Sequence, residues 1–231
     1  MDKRITVAID GFSSTGKSTI AKQLASKLGY VYVDSGAMYR AMTLFSMQKG
    51  YISSSQFCVQ DLIDNLDNAS LEFIYNETLG FAEMYLNDVN VEKSIRSLEV
   101  SNLVSRVSAI PEVRRKLVAI QKKIGKNKAV VMDGRDIGSV VFTDAELKIF
   151  MTSSAETRAQ RRYDELIEKG EKVSYQDVFT NVVERDRVDS SRKDSPLVKA
   201  DGAIEIDNSQ LSKEKQFEII LKLVEEKLRD I

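Results

Sequence analysis

The chain has 231 residues, 42% hydrophobic and 30% charged, enough for one good-sized core with a small insertion. Its 34 Lys and Arg nearly cancel 35 Asp and Glu, leaving a formal charge of -1 and no global basic field to hold a nucleic-acid backbone. Histidine is absent and Cys58 is the only cysteine, which excludes Ser-His triads, His-ligated zinc, thiolate metal clusters and a disulfide framework. Phosphate electrostatics, Asp, Lys and Arg are left to carry any chemistry. No stretch approaches a membrane span, and the apolar run near the N-terminus is cut short by Asp10, so a reducing cytoplasm is the expected address.

The first predicted strand, Ile5 to Ile9, runs straight into Gly11-Phe12-Ser13-Ser14-Thr15-Gly16-Lys17-Ser18. Strand, glycine-bounded turn and a helix starting near Lys17 make this a Walker A phosphate loop in its proper setting. Backbone N–H groups of such a loop point inward as an anion cradle, and the helix N-terminus adds partial positive charge. Gly11, Ser13, Ser14, Thr15, Gly16, Lys17, Ser18 and Thr19 are therefore the expected ATP-binding residues. Lys17 would reach the terminal phosphates, and the Ser18 hydroxyl would ligate Mg²⁺ directly. An amphipathic ridge of Ile20, Leu24 and Leu28 follows, as a buried helix requires.

Four more apolar strands are predicted at 30–33, 129–132, 147–151 and 203–206, separated by helical patterns, as in a parallel sheet covered on both faces. Three end at a carboxylate: Asp34, Asp133 and Asp207. Carboxyl ends of parallel strands border the ligand crevice, so Asp10, Asp34 and Asp133 are candidates to lie near the phosphate loop. Asp34 and Asp133 are the candidates to orient metal-bound water; the plainer role for an aspartate there is to start a turn or cap a helix.

Residues 61–96 break the strand–helix rhythm. Ser70 to Tyr75 and Phe81 to Leu86 read as strands joined by an Asn76 to Gly80 turn, with a short third strand in Asn87 to Val91. The expected domain plan is one phosphate-loop domain: a core (about 1–60, 97–152 and 194–231), this antiparallel insertion, and a helical lid at about 153–193. Helices follow the insertion from Ser97 to Ile110 and from Pro111 to Lys123. The lid comprises a helix over 153–170 carrying Arg158, Arg161 and Arg162, and a second from Ser174 through Arg185 and Arg187. A helical tail, Lys213 to Arg229, closes the chain.

The phosphate loop does not say what accepts the phosphoryl group; the arginines speak to that. Arg40 follows one strand end in Asp34-Ser35-Gly36-Ala37-Met38-Tyr39-Arg40, and Arg135 follows another in Asp133-Gly134-Arg135-Asp136-Ile137-Gly138. Arg185, Asp189 and Arg192 cluster further on. A guanidinium grips two phosphate oxygens with parallel bonds and keeps its charge in a pocket. Such a group suits a monophosphate acceptor and the charge that develops during transfer.

These motifs, in this spacing and over essentially the full length, resemble the bacterial cytidylate kinase family of the nucleoside monophosphate kinase group. The Asp34 to Arg40 and Asp133 to Phe142 stretches are the specific part; Glu184-Arg185-Asp186 is spaced as in that family, and the phosphate loop is shared by many unrelated ATPases. The resemblance implies a three-layer α/β P-loop kinase fold and transfer of the γ-phosphate of ATP to CMP or dCMP. It also implies that Ser35, Arg40, Arg135 and Arg185 hold the acceptor phosphate, and that Ser105, Arg114, Asp136 and Arg192 read cytosine. Asp189 would receive the sugar hydroxyls, and Arg158, Arg161 and Arg162 would approach the phosphates on lid closure. The base chemistry agrees: cytosine accepts at O2 and N3 and donates at its amine, whereas uracil would place a carbonyl against Asp136. The chain departs from common family forms at Phe12, Ser14, Thr15 and Val188, none of which is a bounding glycine or Lys17.

Small-molecule substrates, no nucleic acid or membrane partner and a monomer are expected. A kinase for UMP, another nucleotide or a non-nucleotide acid is the nearest alternative. A GTPase-type switch would call for Asn-Lys-x-Asp, and Gly125-Lys126-Asn127-Lys128 lacks that order.

Overall fold

The computed structural model describes residues 3–230. Five parallel strands, β1 (Thr6–Gly11), β2 (Val31–Asp34), β6 (Val130–Gly134), β7 (Leu147–Thr152) and β8 (Ile204–Asp207), form a sheet in the order β2-β6-β1-β7-β8. β1 and β6 are buried along their whole length, which is why both read as continuous apolar runs rather than alternating ones. From β1 the chain builds β2 and β6 on one side and β7 and β8 on the other, so the loop after β1 leaves the sheet where its winding reverses. Register completes the placement: Asp34 pairs with Asp133, Asp10 with Gly134 and Gly11 with Met151, bringing the strand ends to one rim.

Helices α1 (Lys17–Leu28) and α8 (Lys213–Asp230) cover one face, where Ile20 and Leu24 meet Ile220 and Val224 over β1 and β7. Each such fully buried side chain contributes about 1.5–3 kcal/mol. On the other side α2 (Ser35–Gln48), α4 (Leu98–Ser108) and α5 (Pro111–Ile124) enclose Met38, Met42, Phe45 and Leu117. A separate three-stranded antiparallel sheet, β3 (Leu71–Asn76), β4 (Phe81–Leu86) and β5 (Val89–Asn90), lies over this cluster through Met84 and Leu86. Asn76 Oδ1 accepts from the Thr78 and Leu79 amides (3.0 and 3.2 Å) and fixes its hairpin turn. Helices α6 (Ala155–Glu168) and α7 (Tyr175–Ser191) form a hairpin, each capped by a serine, Ser154 and Ser174.

The predicted elements are present with bounds shifted by a residue or two. α7 runs on to Ser191, a short helix α3 (Val59–Asp64) precedes the small sheet, and Ile137–Val141 forms one wide π-type turn. Neither the short helix nor the wide turn has a sequence period long enough to declare itself.

Gly11 shows how close the strands come. A Cβ on it would lie 1.9 Å from the Met151 carbonyl oxygen, and its φ of 144° is already unfavourable for other residues. Gly16 has φ 85° but open space on its side-chain side, with no atom within 4 Å of where a methyl would stand. Gly11→Ala should therefore cost about 3 kcal/mol or more, and Gly16→Ala about 1–2 kcal/mol. Urea unfolding of the two variants measures the difference; equal losses would contradict the backbone contact.

Candidate active site

Along the rim of strand ends runs a cavity of about 390 Å³ with two chemically distinct ends. At one end is the phosphate loop. Ser13, Ser14, Gly16, Lys17, Ser18 and Thr19 line the cavity; Gly11 and Thr15 lie behind them, Thr15 fully buried. Gly16 takes the N-cap position of α1 with no side-chain cap, so the first amides of the helix stay open to an anion. Lys17 Nζ meanwhile donates to the Phe12 carbonyl (2.5 Å) and to Thr15 Oγ1 (3.3 Å). Burial, then the charge of Arg135, pushes the Lys17 ammonium below its usual range. The loop is braced from behind by Asn208, whose Nδ2 donates to the Thr15 carbonyl (2.6 Å) and to Gln216 Oε1 (2.9 Å).

Asp133 ends β6 beside the loop. Its Oδ2 accepts from Ser18 Oγ (2.8 Å), its Oδ1 from Tyr32 Oη (2.8 Å) and its carbonyl from Ser35 Oγ (2.7 Å). Burial, then the nearby Asp34, pushes its carboxyl up to about 6. Among the described residues no group of three His, Cys, Asp or Glu could hold a metal unaided. A single hydroxyl backed by a carboxylate is a hard-oxygen set that fits Mg²⁺, an ion that keeps most of its waters and takes the rest of its ligands from phosphates. Asp34 also lines the cavity, but its oxygens are in use: it caps α2 at the Ala37 amide (3.0 Å) and pairs with Arg96 (3.1 Å). Asp10 turns away altogether, accepting from the Ile137 and Gly138 amides.

The other end of the cavity is cationic. Arg40, Arg135, Arg185 and Arg192 line it, with Ser35, Ser105, Arg114, Asp136 and Asp189. Arg40 donates to Ser101 Oγ (2.9 Å), and no carboxylate lies within 4.0 Å of it among the described residues. Burial, then the like charge of Arg185, lowers Arg40 to about 9; burial, then Arg135, lowers Arg185 to about 10. The Arg185 Nε is buried without a hydrogen-bond partner. Asp189 sits between Arg135 (2.9 Å) and Arg192 (3.5 Å); burial would raise its carboxyl, but those two guanidiniums outweigh it and hold it below the usual range. Deeper in, Arg114 and Asp136, 2% and 3% exposed, form an ion pair against the Tyr39 ring. Together they place a donor group beside an acceptor at the inner end of the cavity.

The three arginines of α6 part company. Arg162 lines the cavity. Arg158 forms a two-pronged pair with Asp186 of α7 (3.0 and 2.6 Å) and lies over Phe12, 5.1 Å from its ring centroid. Arg161 is turned to Asn208, donating to its Oδ1 and its carbonyl (3.0 Å each). Arg96, Ser101 and Asn208 have no place in the sequence reading, and Tyr39 and Asp186 enter it only as members of quoted motifs. Arg96 carried the one available signal, a lone arginine at the insertion's return to the core.

A family model described as cytidylate kinase matches residues 7–226. The chain belongs to the cytidylate kinase family. A curated cytidylate kinase of Flavobacterium psychrophilum is 65% identical over 96% of this chain and 98% of its own length. Another, from Phocaeicola vulgatus, is 54% identical over 91% of this chain and 92% of its own. A crystal structure of an uncharacterized protein from Eubacterium ventriosum shares the fold at a TM-score of 0.50 and 12% identity, covering 97% of this chain and 99% of that one. The family match spans both ends of the cavity, from the phosphate loop through Arg192.

An overfilled cationic pocket makes a prediction. The charge on Arg40 costs stability at every pH below about 9 and the cost is relieved only above it, because folding disfavours the cation. Arg40→Met should raise the melting temperature of the free enzyme by about 2–4 °C, equivalent to about 1 kcal/mol, and abolish the upward shift that CMP gives the native enzyme. Scanning fluorimetry reads both; a destabilised variant that still responds to CMP would refute the argument.

Proposed function

We propose that this cavity is where the γ-phosphate of ATP passes to the phosphate of CMP or dCMP. The chain is an ATP-dependent nucleoside monophosphate kinase, as its family membership states. The observation that supports the placement is that an uncapped phosphate-loop helix and a group of arginines, with Arg40 and Arg185 lacking a carboxylate partner among the described residues, open into one cavity. Ser14, Gly16, Lys17 and Ser18 hold the donor, and Lys17 exchanges the Phe12 carbonyl for phosphate oxygen. Ser35, Arg40, Arg135 and Arg185 grip the acceptor phosphate and bring its oxygen into line. No strong general base is required, since an acceptor phosphate with a second pKa of about 6 is largely dianionic at neutral pH.

Ser18, with Asp133 through water, would hold Mg²⁺, and Asp34 is the lesser candidate while it pairs with Arg96. When bound, Mg²⁺ offsets charge on the terminal phosphate oxygens. Arg114 and Asp136, with Ser105 and Arg192, read cytosine, and Asp189 receives the sugar once Arg135 and Arg192 turn to substrate. Of the α6 arginines, Arg162 is placed to meet the phosphates; Arg158 and Arg161 would have to leave Asp186 and Asn208 first. The substrates on this reading are small nucleotides, and no described helix is long and apolar enough to cross a membrane.

Lys17→Ala should lower kcat by about 10³-fold or more while leaving the CMP dissociation constant nearly unchanged. Asp136→Asn should erode the preference for CMP over UMP by about tenfold or more and leave the dCMP-to-CMP ratio alone. A coupled ADP-release assay across the three acceptors decides: equal losses on all would remove Asp136 from base recognition, and near-native turnover by Lys17→Ala would remove the loop assignment.

A further inference from the structure

Asp10 is buried at the end of β1, one residue before the phosphate loop, and the mechanism gives it no part. Its oxygens accept two short backbone hydrogen bonds, Oδ1 from the Ile137 amide and Oδ2 from the Gly138 amide, each 2.7 Å. Those amides open the Ile137–Val141 turn. The turn then closes on itself, with the Val140 and Val141 amides donating to the Asp136 carbonyl (2.9 and 3.2 Å). An aspartate at the start of such a turn ordinarily folds back to cap its open amides. Asp136 holds that position yet makes no capping bond; its carboxylate is paired with Arg114 instead. The cap comes from a different strand.

We propose that Asp10 is a positioning residue for acceptor recognition, capping in trans the turn after Asp136 so that the Asp136 carboxylate stays free to face Arg114 and the base. The inference rests on the reading of Asp136 as a base-recognition group. The strand register makes the reach possible, because Asp10 stands opposite Gly134, two residues before Asp136. Two amides per carboxylate also match the chemistry: an ionised Asp offers two acceptor oxygens and no competing donor. Burial lifts its carboxyl to about 6, against the pull of those amides and of Lys17 and with a further push from Asp136, so it remains ionised at neutral pH. The strand end that launches the donor loop thus also fixes the orientation of the acceptor-reading turn.

Asp10→Asn keeps the shape but aims an NH₂ donor at one of the two amide donors, inviting Asp136 to take over the cap. Turnover of CMP and UMP is measured for the native enzyme, Asp10→Asn, Asp136→Asn and the double variant, with the KM for ATP alongside. The expected result is a fall of about tenfold or more in the CMP-to-UMP ratio of kcat/KM, carried by a higher KM for CMP. The KM for ATP should stay within about twofold, and the double variant should lose little further discrimination, because both changes act through one carboxylate. Asp10→Ser, whose hydroxyl is too short to span both amides, is read the same way should the Asn variant not fold. An unchanged ratio, or losses that multiply independently in the double variant, overturns the proposal; so does failure of both variants to fold, which would assign Asp10 to stability alone. A native enzyme that phosphorylates UMP as readily as CMP would instead overturn the base-reading role of Asp136 itself.

Discussion

Like charges held together in a buried crevice are the constraint on which this molecule is organised. Arg40, Arg135 and Arg185 share one end of the cavity, and two of them are easier to deprotonate for it. Nothing local would hold three guanidiniums so close. They arrive from three separate places, the helix after β2, the turn after β6 and the middle of α7. The parallel sheet supplies the rigidity, because the aligned ends of β2, β6 and β1 cannot splay to relieve repulsion without breaking their ladders.

The carboxylates around that cluster divide the work. Asp189 partly neutralises Arg135 and Arg192, Asp186 holds Arg158, and Asp34 holds Arg96. Three of these pairs join separate elements: Arg135–Asp189 links the end of β6 to α7, Arg158–Asp186 links α6 to α7, and Arg96–Asp34 links the return from the small sheet to the end of β2.

The sheet, its helices and the phosphate loop were legible because each writes a local pattern: apolar runs, a 3.6-residue ridge and a glycine-bounded turn. The acceptor-side arginines were legible through spacing that resembles a known family. What escaped was direction. Sequence places Arg158, Arg161 and Arg162 on one helix, but which of them meets the cavity depends on how α6 rolls against α7 and α8, settled by Asp186 and Asn208. The strand-end aspartates posed the same difficulty. Asp10, Asp34 and Asp133 look alike in the chain, yet one caps a distant turn, one caps its own helix and one meets Ser18. Long-range partners, invisible in sequence, decide the first and the last, while the cap made by Asp34 is local.

The bare start of α1 has one more consequence. A serine or aspartate in place of Gly16 could offer the helix a side-chain cap, worth only a few tenths of a kcal/mol over glycine, but would have to adopt a φ of 85° that disfavours any Cβ. Glycine leaves that terminus incomplete, and an incoming phosphate becomes its missing last part. Local order in the opening turn of α1 and occupancy by the nucleotide are therefore two faces of a single equilibrium: the helix is completed by what it holds.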